Sequence, residues 1–366
     1  MTYYYLIFAN TNGRNVTPER IQALQDILKL GRGSLKGELI VTKSLNQLKG
    51  SIEDHKNAFF GYKEQGTTIV GIAGGDGTVM RTRTLVENIL GYQPTYAFFP
   101  LGTMNNIQRT VGMNTIDSSF DLAKHIVNIA CTDSLEGHTV SVPSLDINGK
   151  KGFNIGFGII PRLLWMYYGH SAKHYRELEE SLQSCEPAEY YNEYERITGK
   201  KEADFFDLLS KERGLWGATK AALRLMNGLR GHTDEAYLLH KSLAGEIRFD
   251  GEKQTFPQAP LGAYISCYEE VNLGLGRLNP KPSPEPRKEP GKFEVVVPYG
   301  DPFSIIPQLF KVVRGERLSN AAYEHISSLE LPSERLAQVD GEEIMEKGFT
   351  VHHDGERKII TLPVTV

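Results

Sequence analysis

With 366 residues, 40% of them hydrophobic and 23% charged, the chain is long enough for two domains and too apolar to be disordered throughout. A formal net charge of −4 removes any overall pull toward nucleic acid, and no nucleic-acid partner is expected. Cys131, Cys185 and Cys267 lie far apart with no C-x-x-C pair, which argues against a disulfide framework or zinc site and fits a reducing cytoplasm.

The opening Met1-Thr2-Tyr3-Tyr4-Tyr5-Leu6-Ile7-Phe8 lacks the basic flank of a signal peptide. No apolar run approaches the ~18 residues that cross a bilayer, so no transmembrane segment is expected. Tyr3 to Ala9 predicts a buried strand, broken by Asn10-Thr11-Asn12-Gly13. Thr17-Pro18-Glu19-Arg20 caps a helix to about Leu30, with Pro18 in its first turn. Glu38 to Thr42 reads as a short strand, and Leu45 to about Tyr62 contains a helix. Thr67 to Ala73 is a strand that runs into Gly74-Gly75-Asp76-Gly77-Thr78; Val79 to Leu90 is a helix closed by Gly91. Tyr96 to Pro100 is a strand, followed by Leu101-Gly102-Thr103 and a helix from about Asn105. Strand and helix alternate over the first ~135 residues, which predicts a parallel sheet covered on both faces.

The pattern changes near Leu135-Glu136-Gly137. Val140 to Ile147, Lys151 to Ile160, Glu246 to Phe249, Ala259 to Tyr268 and Lys292 to Pro298 read as strands, and Asn148-Gly149 and Asp250-Gly251 favour hairpins. This predicts an antiparallel β-sandwich domain, interrupted by a charged helical insertion at about 162–232 and by a Pro-rich loop at 280–290. The fold class is therefore α/β plus all-β. The expected division is 1–137, then 138–353, with 354–366 returning to the first domain.

The strongest chemical signal is Ile69-Val70-Gly71-Ile72-Ala73-Gly74-Gly75-Asp76-Gly77-Thr78. Glycines at the end of a buried strand let backbone N–H groups approach an anion, and the helix that follows adds its dipole. Nucleotide phosphates suit such a turn. Asp76 among them makes sense if it handles Mg²⁺ or accepts a proton; a tight turn with Asp76 as N-cap is the alternative. The Walker spacing and the Rossmann G-x-G-x-x-G are both absent.

G-G-D-G-T resembles the hallmark of a kinase superfamily that includes diacylglycerol, sphingosine, ceramide and NAD kinases and, in a G-G-D-G-S form, phosphofructokinases. Phe99-Pro100-Leu101-Gly102-Thr103-Met104-Asn105-Asn106-Ile107-Gln108-Arg109 resembles the lipid-kinase motif P-x-G-T-x-N-D-x-A-R. Gln338-Val339-Asp340-Gly341-Glu342 resembles the V-D-G-E near the C-terminus of those enzymes, and Asn10-Thr11-Asn12-Gly13 stands where they carry N-P-x-S-G. The resemblance, to bacterial-type diacylglycerol and sphingosine kinases, implies an NAD kinase-like first domain and an ATP site in the cleft between domains. Asn10, Gly74, Gly75, Gly77, Thr78, Gly102, Thr103 and Asn105 are expected to contact ATP. Asp76 and Asp340 are expected near Mg²⁺, and Asp76, Asp340 and Glu342 form the catalytic set, with the base either Asp76 or Glu342. The implied reaction is transfer of the ATP γ-phosphate to a lipid hydroxyl by a cytoplasmic protein that visits the membrane surface. Monomer and homodimer both stay open.

Met80-Arg81 stands where the family has Asn-Glu, and Asn106 where it has Asp. Lys288-Glu289-Pro290-Gly291 replaces the D-D-G of an accessory metal site, which is therefore not expected. The rivals are an NAD kinase-like soluble kinase and a degenerate kinase fold that binds nucleotide or lipid without turnover. Leu163-Leu164-Trp165-Met166-Tyr167-Tyr168 and the basic amphipathic 213–226 segment either touch lipid or pack on the sandwich. Asp340-Gly341-Glu342 read alone is an exposed hairpin turn.

Overall fold

The structure, a computed structural model, describes residues 2–11, 15–31, 33–63, 67–102, 105–113, 115–132, 134–167, 171–184, 186–199, 234–243, 245–267, 271–272, 277–278, 291–305, 308, 317–340 and 342–362. The Pro-rich loop at 280–290, the 213–226 helix and Thr103 lie outside them. The chain forms two compact units: Met1–Ser144 with Gly149–Lys151 and Asp354–Val366, and Leu145–Asn148 with Gly152–His353.

The first unit runs β1 (Tyr3–Asn10), α1 (Pro18–Lys29), β2 (Leu35–Thr42), α2 (Leu45–Lys63), β3 (Thr68–Gly74), α3 (Asp76–Leu90), β4 (Thr95–Pro100), α4 (Asn106–Thr110) and α5 (Ser118–Thr132). The sheet order is β2-β1-β3-β4, every pairing parallel. Leu6, Ile7, Ile69, Val70, Ile72, Phe98 and Phe99 are fully or almost fully buried, the unbroken apolar pattern of strands covered on both faces. Thr17 Oγ1 accepts the Arg20 N–H at 3.4 Å to start α1, and Gly91, at φ 68°, closes α3 in the left-handed region. Local sequence chemistry thus sets where the helices around the glycine turn begin and end.

β5 (Thr139–Ile147) turns into β6 (Lys150–Gly152) at Asn148-Gly149, with φ values of 50° and 83° as a type I′ hairpin requires. The second unit continues with β7 (Asn154–Gly158), α6 (Ile159–Tyr167), α7 (Ala172–Leu182), α8 (Tyr190–Thr198) and α9 (Asp234–His240). Then come β8 (Arg248–Phe249), β9 (Glu252–Lys253), β10 (Gly262–Ser266), β11 (Val271–Asn272), β12 (Arg277–Leu278), β13 (Phe293–Pro298) and α10 (Pro302–Ile305). β14 (Ala321–Ile326), β15 (Ser328–Leu331), β16 (Leu336–Val339), β17 (Glu342–Met345) and β18 (Phe349–Ile360) complete the chain. A six-stranded antiparallel sheet has the order β14-β13-β10-β7-β16-β17. The start of β18 pairs antiparallel with β15, which pairs with β8. Phe157 and Phe349, one from each layer, meet edge to face at 5.1 Å, so the two antiparallel layers share a core.

The end of β18 lies in the first unit, where Ile359 pairs parallel with Tyr96. There Arg357 donates to both oxygens of Glu87 at 2.8 and 2.7 Å and bonds Asp354, while the Tyr96 hydroxyl donates to Glu87 at 3.1 Å. Arg83 adds its charge 3.4 Å from Glu87. A buried carboxylate is stable here because cations and a hydroxyl surround it.

One sequence expectation needs correction, and one alternative left open is decided. The expected single strand from Lys151 to Ile160 is broken: β6 ends at Gly152, and Gly158, at φ 62°, turns the chain into α6 at Ile159. A Cβ on Gly158 would lie 2.5 Å from the Leu261 carbonyl, so that turn requires glycine. Trp165 is fully buried, its Nε1–H donates to the Ser171 carbonyl at 2.9 Å, and it packs edge to face on Tyr175 and Tyr194. It fills the helical layer of the second unit and does not face lipid.

Candidate active site

In the first unit the two motif loops pack backbone against backbone. A Cβ on Gly102 would lie 2.1 Å from the Gly75 Cα and 2.6 Å from its nitrogen. Only glycine permits that approach. Asn105, itself at φ 52°, shapes the second loop: its Oδ1 accepts the Gly102 N–H at 2.9 Å, and its Nδ2 donates to the Pro100 and Gly102 carbonyls at 3.3 and 3.1 Å. Asn15, which sequence reasoning missed, donates to the same Gly102 carbonyl at 2.9 Å. Its signal was only a side-chain amide in a polar loop after β1, too common to single out.

Gly75, not Asp76, is the N-cap of α3, with extended backbone. Asp76, Gly77 and Thr78 form the first turn, whose N–H groups have no intrahelical acceptors. Asp76 instead caps the neighbouring helix: its Oδ2 accepts the Asn106 N–H at 3.0 Å and its Oδ1 the Ile107 N–H at 3.3 Å. Burial pushes its carboxyl up to about 6; these amides, the Arg109 charge and the Asn106 side chain pull the other way. Gln108, also missed, is fully buried and donates to the Gly74 carbonyl at 3.2 Å. Asn10 ends β1 half-buried beside Thr42. The first unit therefore brings together Gly74, Gly75, Asp76, Gly102 and Asn105.

In the second unit Asp340, at φ 48°, forms the turn of the β16–β17 hairpin. The chain does turn in a hairpin here, but the turn is not exposed: Asp340 is buried, because its carboxylate has a further task. Its Oδ1 accepts the Phe153 and Asn154 N–H groups at 3.2 and 2.9 Å, and its Oδ2 lies 3.0 Å from the Phe153 nitrogen. Asn154 Oδ1 accepts the Asp340 N–H at 3.2 Å in return. Glu342 opens β17 half-buried, across from Val339. Glu343, next in the strand, alternates to the buried face and accepts the Tyr190 hydroxyl at 2.6 Å.

Among the described residues, no group of three or more His, Cys, Asp or Glu side chains is placed to hold a metal unaided. Magnesium normally keeps waters and substrate phosphates in its shell and takes only one or two carboxylates. Asp76, with oxygen lone pairs beyond its two amide bonds, fits that demand; so does a turn of glycines that no Cβ fills. Among the described residues no helix is long and apolar enough to cross a membrane.

Residues 4–135, the segment that carries both glycine motifs, match the family model of the diacylglycerol kinase catalytic domain. The resemblance read from the motifs is borne out there. No curated protein matches the chain in sequence. The fold is similar to solved structures from Bacillus anthracis str. Sterne. One is of a diacylglycerol kinase (TM-score 0.57, 14% identity, covering 100% of this chain and 98% of that one). Another is of a protein provisionally assigned as a diacylglycerol kinase (TM-score 0.61, 15% identity, with the same coverage). These likenesses extend the fold match over both units.

Proposed function

We propose that the chain is an ATP-dependent lipid kinase, acting with Mg²⁺ from the membrane surface. The observation that carries the reading is the packing of two lipid-kinase motif loops around Asp76, with Gly102 against Gly75 and Asp76 bonded to the second loop. The first-turn amides of α3 and the glycine turn bind the triphosphate; their dipoles already point at the anion, so little reorganisation is needed. Asp76 and Asp340 are the residues that would hold Mg²⁺, which would supply charge neutralisation at the transferring group. Glu342 takes the proton of the lipid hydroxyl as that oxygen attacks the γ-phosphorus, and the bond to ADP breaks. Asp340 holds the hairpin that carries Glu342. Asn10, Gly77, Thr78, Thr103 and Asn105 complete the ATP contacts.

A second reading, nucleotide binding without turnover, draws support from Asp76, whose two oxygens already accept backbone amides. Incubation with γ-labelled ATP and a panel of diacylglycerol, sphingosine, phosphatidylglycerol and NAD⁺ separates the readings. A labelled lipid supports the proposal; label on NAD⁺ alone, or on nothing while ATP still binds, overturns it.

A further inference from the structure

Gln108 is fully buried, yet only one end of its amide is used. Its Nε2 donates to the Gly74 carbonyl at 3.2 Å, while its Oε1 is buried with no hydrogen-bond partner among the described residues. A stranded buried acceptor is unfavourable; a leucine of similar size would remove it but would also take away the donor that the Gly74 carbonyl uses, so the two effects oppose each other. What distinguishes the amide is therefore the one group it holds.

The helix that carries it offers the explanation. α4 has five residues, too few to hold its own geometry. Asp76 reaches from α3 to the first amides of α4, and Gln108 reaches back from α4 to the end of β3. The bond falls on one particular group, the Gly74 carbonyl. That carbonyl and the Gly75 N–H share one planar trans peptide, and the described residues include no cis bonds, so fixing one fixes the other in the opposite direction. Gly102 packs against the same peptide, where a Cβ would lie 2.6 Å from the Gly75 nitrogen.

We propose that Gln108 is a positioning residue that aims the Gly75 N–H at the phosphates of the nucleotide. The inference rests on the nucleotide site proposed above. Its loss should affect phosphate binding, leave nucleoside binding intact and not weaken the fold.

The test compares Gln108→Leu with wild type in three measurements: thermal melting, calorimetric binding of Mg²⁺-ATP and of adenosine, and hydrogen exchange at the Gly75 amide in ligand-free protein. The expected result is a melting temperature close to that of wild type, unchanged adenosine binding and ATP binding about tenfold weaker, the scale of one misaligned hydrogen bond to a charged group. Gly75 exchange should be faster. Gln108→Glu, which sets a carboxyl against the Gly74 carbonyl, should weaken ATP further while it remains folded. Wild-type ATP affinity in Gln108→Leu, or a parallel loss of melting temperature, ATP and adenosine binding, would overturn the inference. If wild type itself binds no ATP, the proposed function fails. Unchanged Gly75 exchange then overturns the inference as well, and faster exchange retains the bracing of the peptide.

Discussion

Glu343→Gln should stabilise the second unit above neutral pH and leave it unchanged in acid. Glu343 is 7% exposed; it accepts one hydrogen bond, from Tyr190 at 2.6 Å, and its Oε1 is buried without a partner among the described residues. Burial, with the Glu342 charge adding to it, pushes its carboxyl from 4.5 up to about 7, against the pull of the Tyr190 hydroxyl. The folded state therefore binds this proton more tightly than the unfolded chain. The stability it contributes is complete below about pH 4.5 and is lost as the pH rises through 7. The loss is about 3 kcal/mol, an order-of-magnitude figure from the span between the two values. Glutamine keeps the shape and the acceptor for Tyr190 but cannot ionise. At pH 8.5 its melting transition should lie about 6–12 °C above wild type, given ~2–4 °C per kcal/mol for a domain of this size. At pH 4 the two should coincide. Calorimetry across pH 4–9 reads this directly. A variant less stable than wild type at pH 8.5, or a difference that does not change with pH, would refute the reasoning.

Three further substitutions follow from the structure. Glu87→Gln removes the charge that Arg83 and Arg357 share, leaving Arg357 to Asp354, and should cost about 3–5 kcal/mol, read as a lower urea midpoint for the first unit. Gly102→Ala forces a Cβ into the Gly75 backbone; it should cost about 1–3 kcal/mol and weaken ATP binding in calorimetry by more than about tenfold. Trp165→Ala should lower stability by about 3–5 kcal/mol yet leave vesicle co-sedimentation of the folded protein unchanged, because the ring lies inside the helical layer.

The first unit was legible because β1, β3 and β4 are continuous apolar runs and its helices carry their own start and stop signals, Thr17-Pro18 and Gly91 among them. Its site could be read from the glycines, whose spacing reports close backbone approach. The direction of Asp76 could not, because a carboxylate in a turn is compatible with capping its own helix, and the choice of α4 depends on a loop contact thirty residues away. The second unit was harder. β14 to β17 run only four to six residues each, too short for a clear apolar period, and β18 includes His352, His353, Asp354, Glu356 and Arg357, a pattern that reads as surface. Burying Arg357 depends on Glu87, 270 residues earlier, and no local pattern announces such a pair. Gln108 and Glu343 escaped for the same reason: their roles lie in what they reach, and a strand or helix position alone does not state it.

The most direct test of the central claim is ADP release by the purified protein with Mg²⁺-ATP and mixed micelles of extracted lipid, run beside Asp76→Asn and Glu342→Gln. The account predicts lipid-dependent release that both substitutions abolish while each variant stays folded. Release by Asp76→Asn at the wild-type rate, or none from wild type that binds ATP, would contradict it.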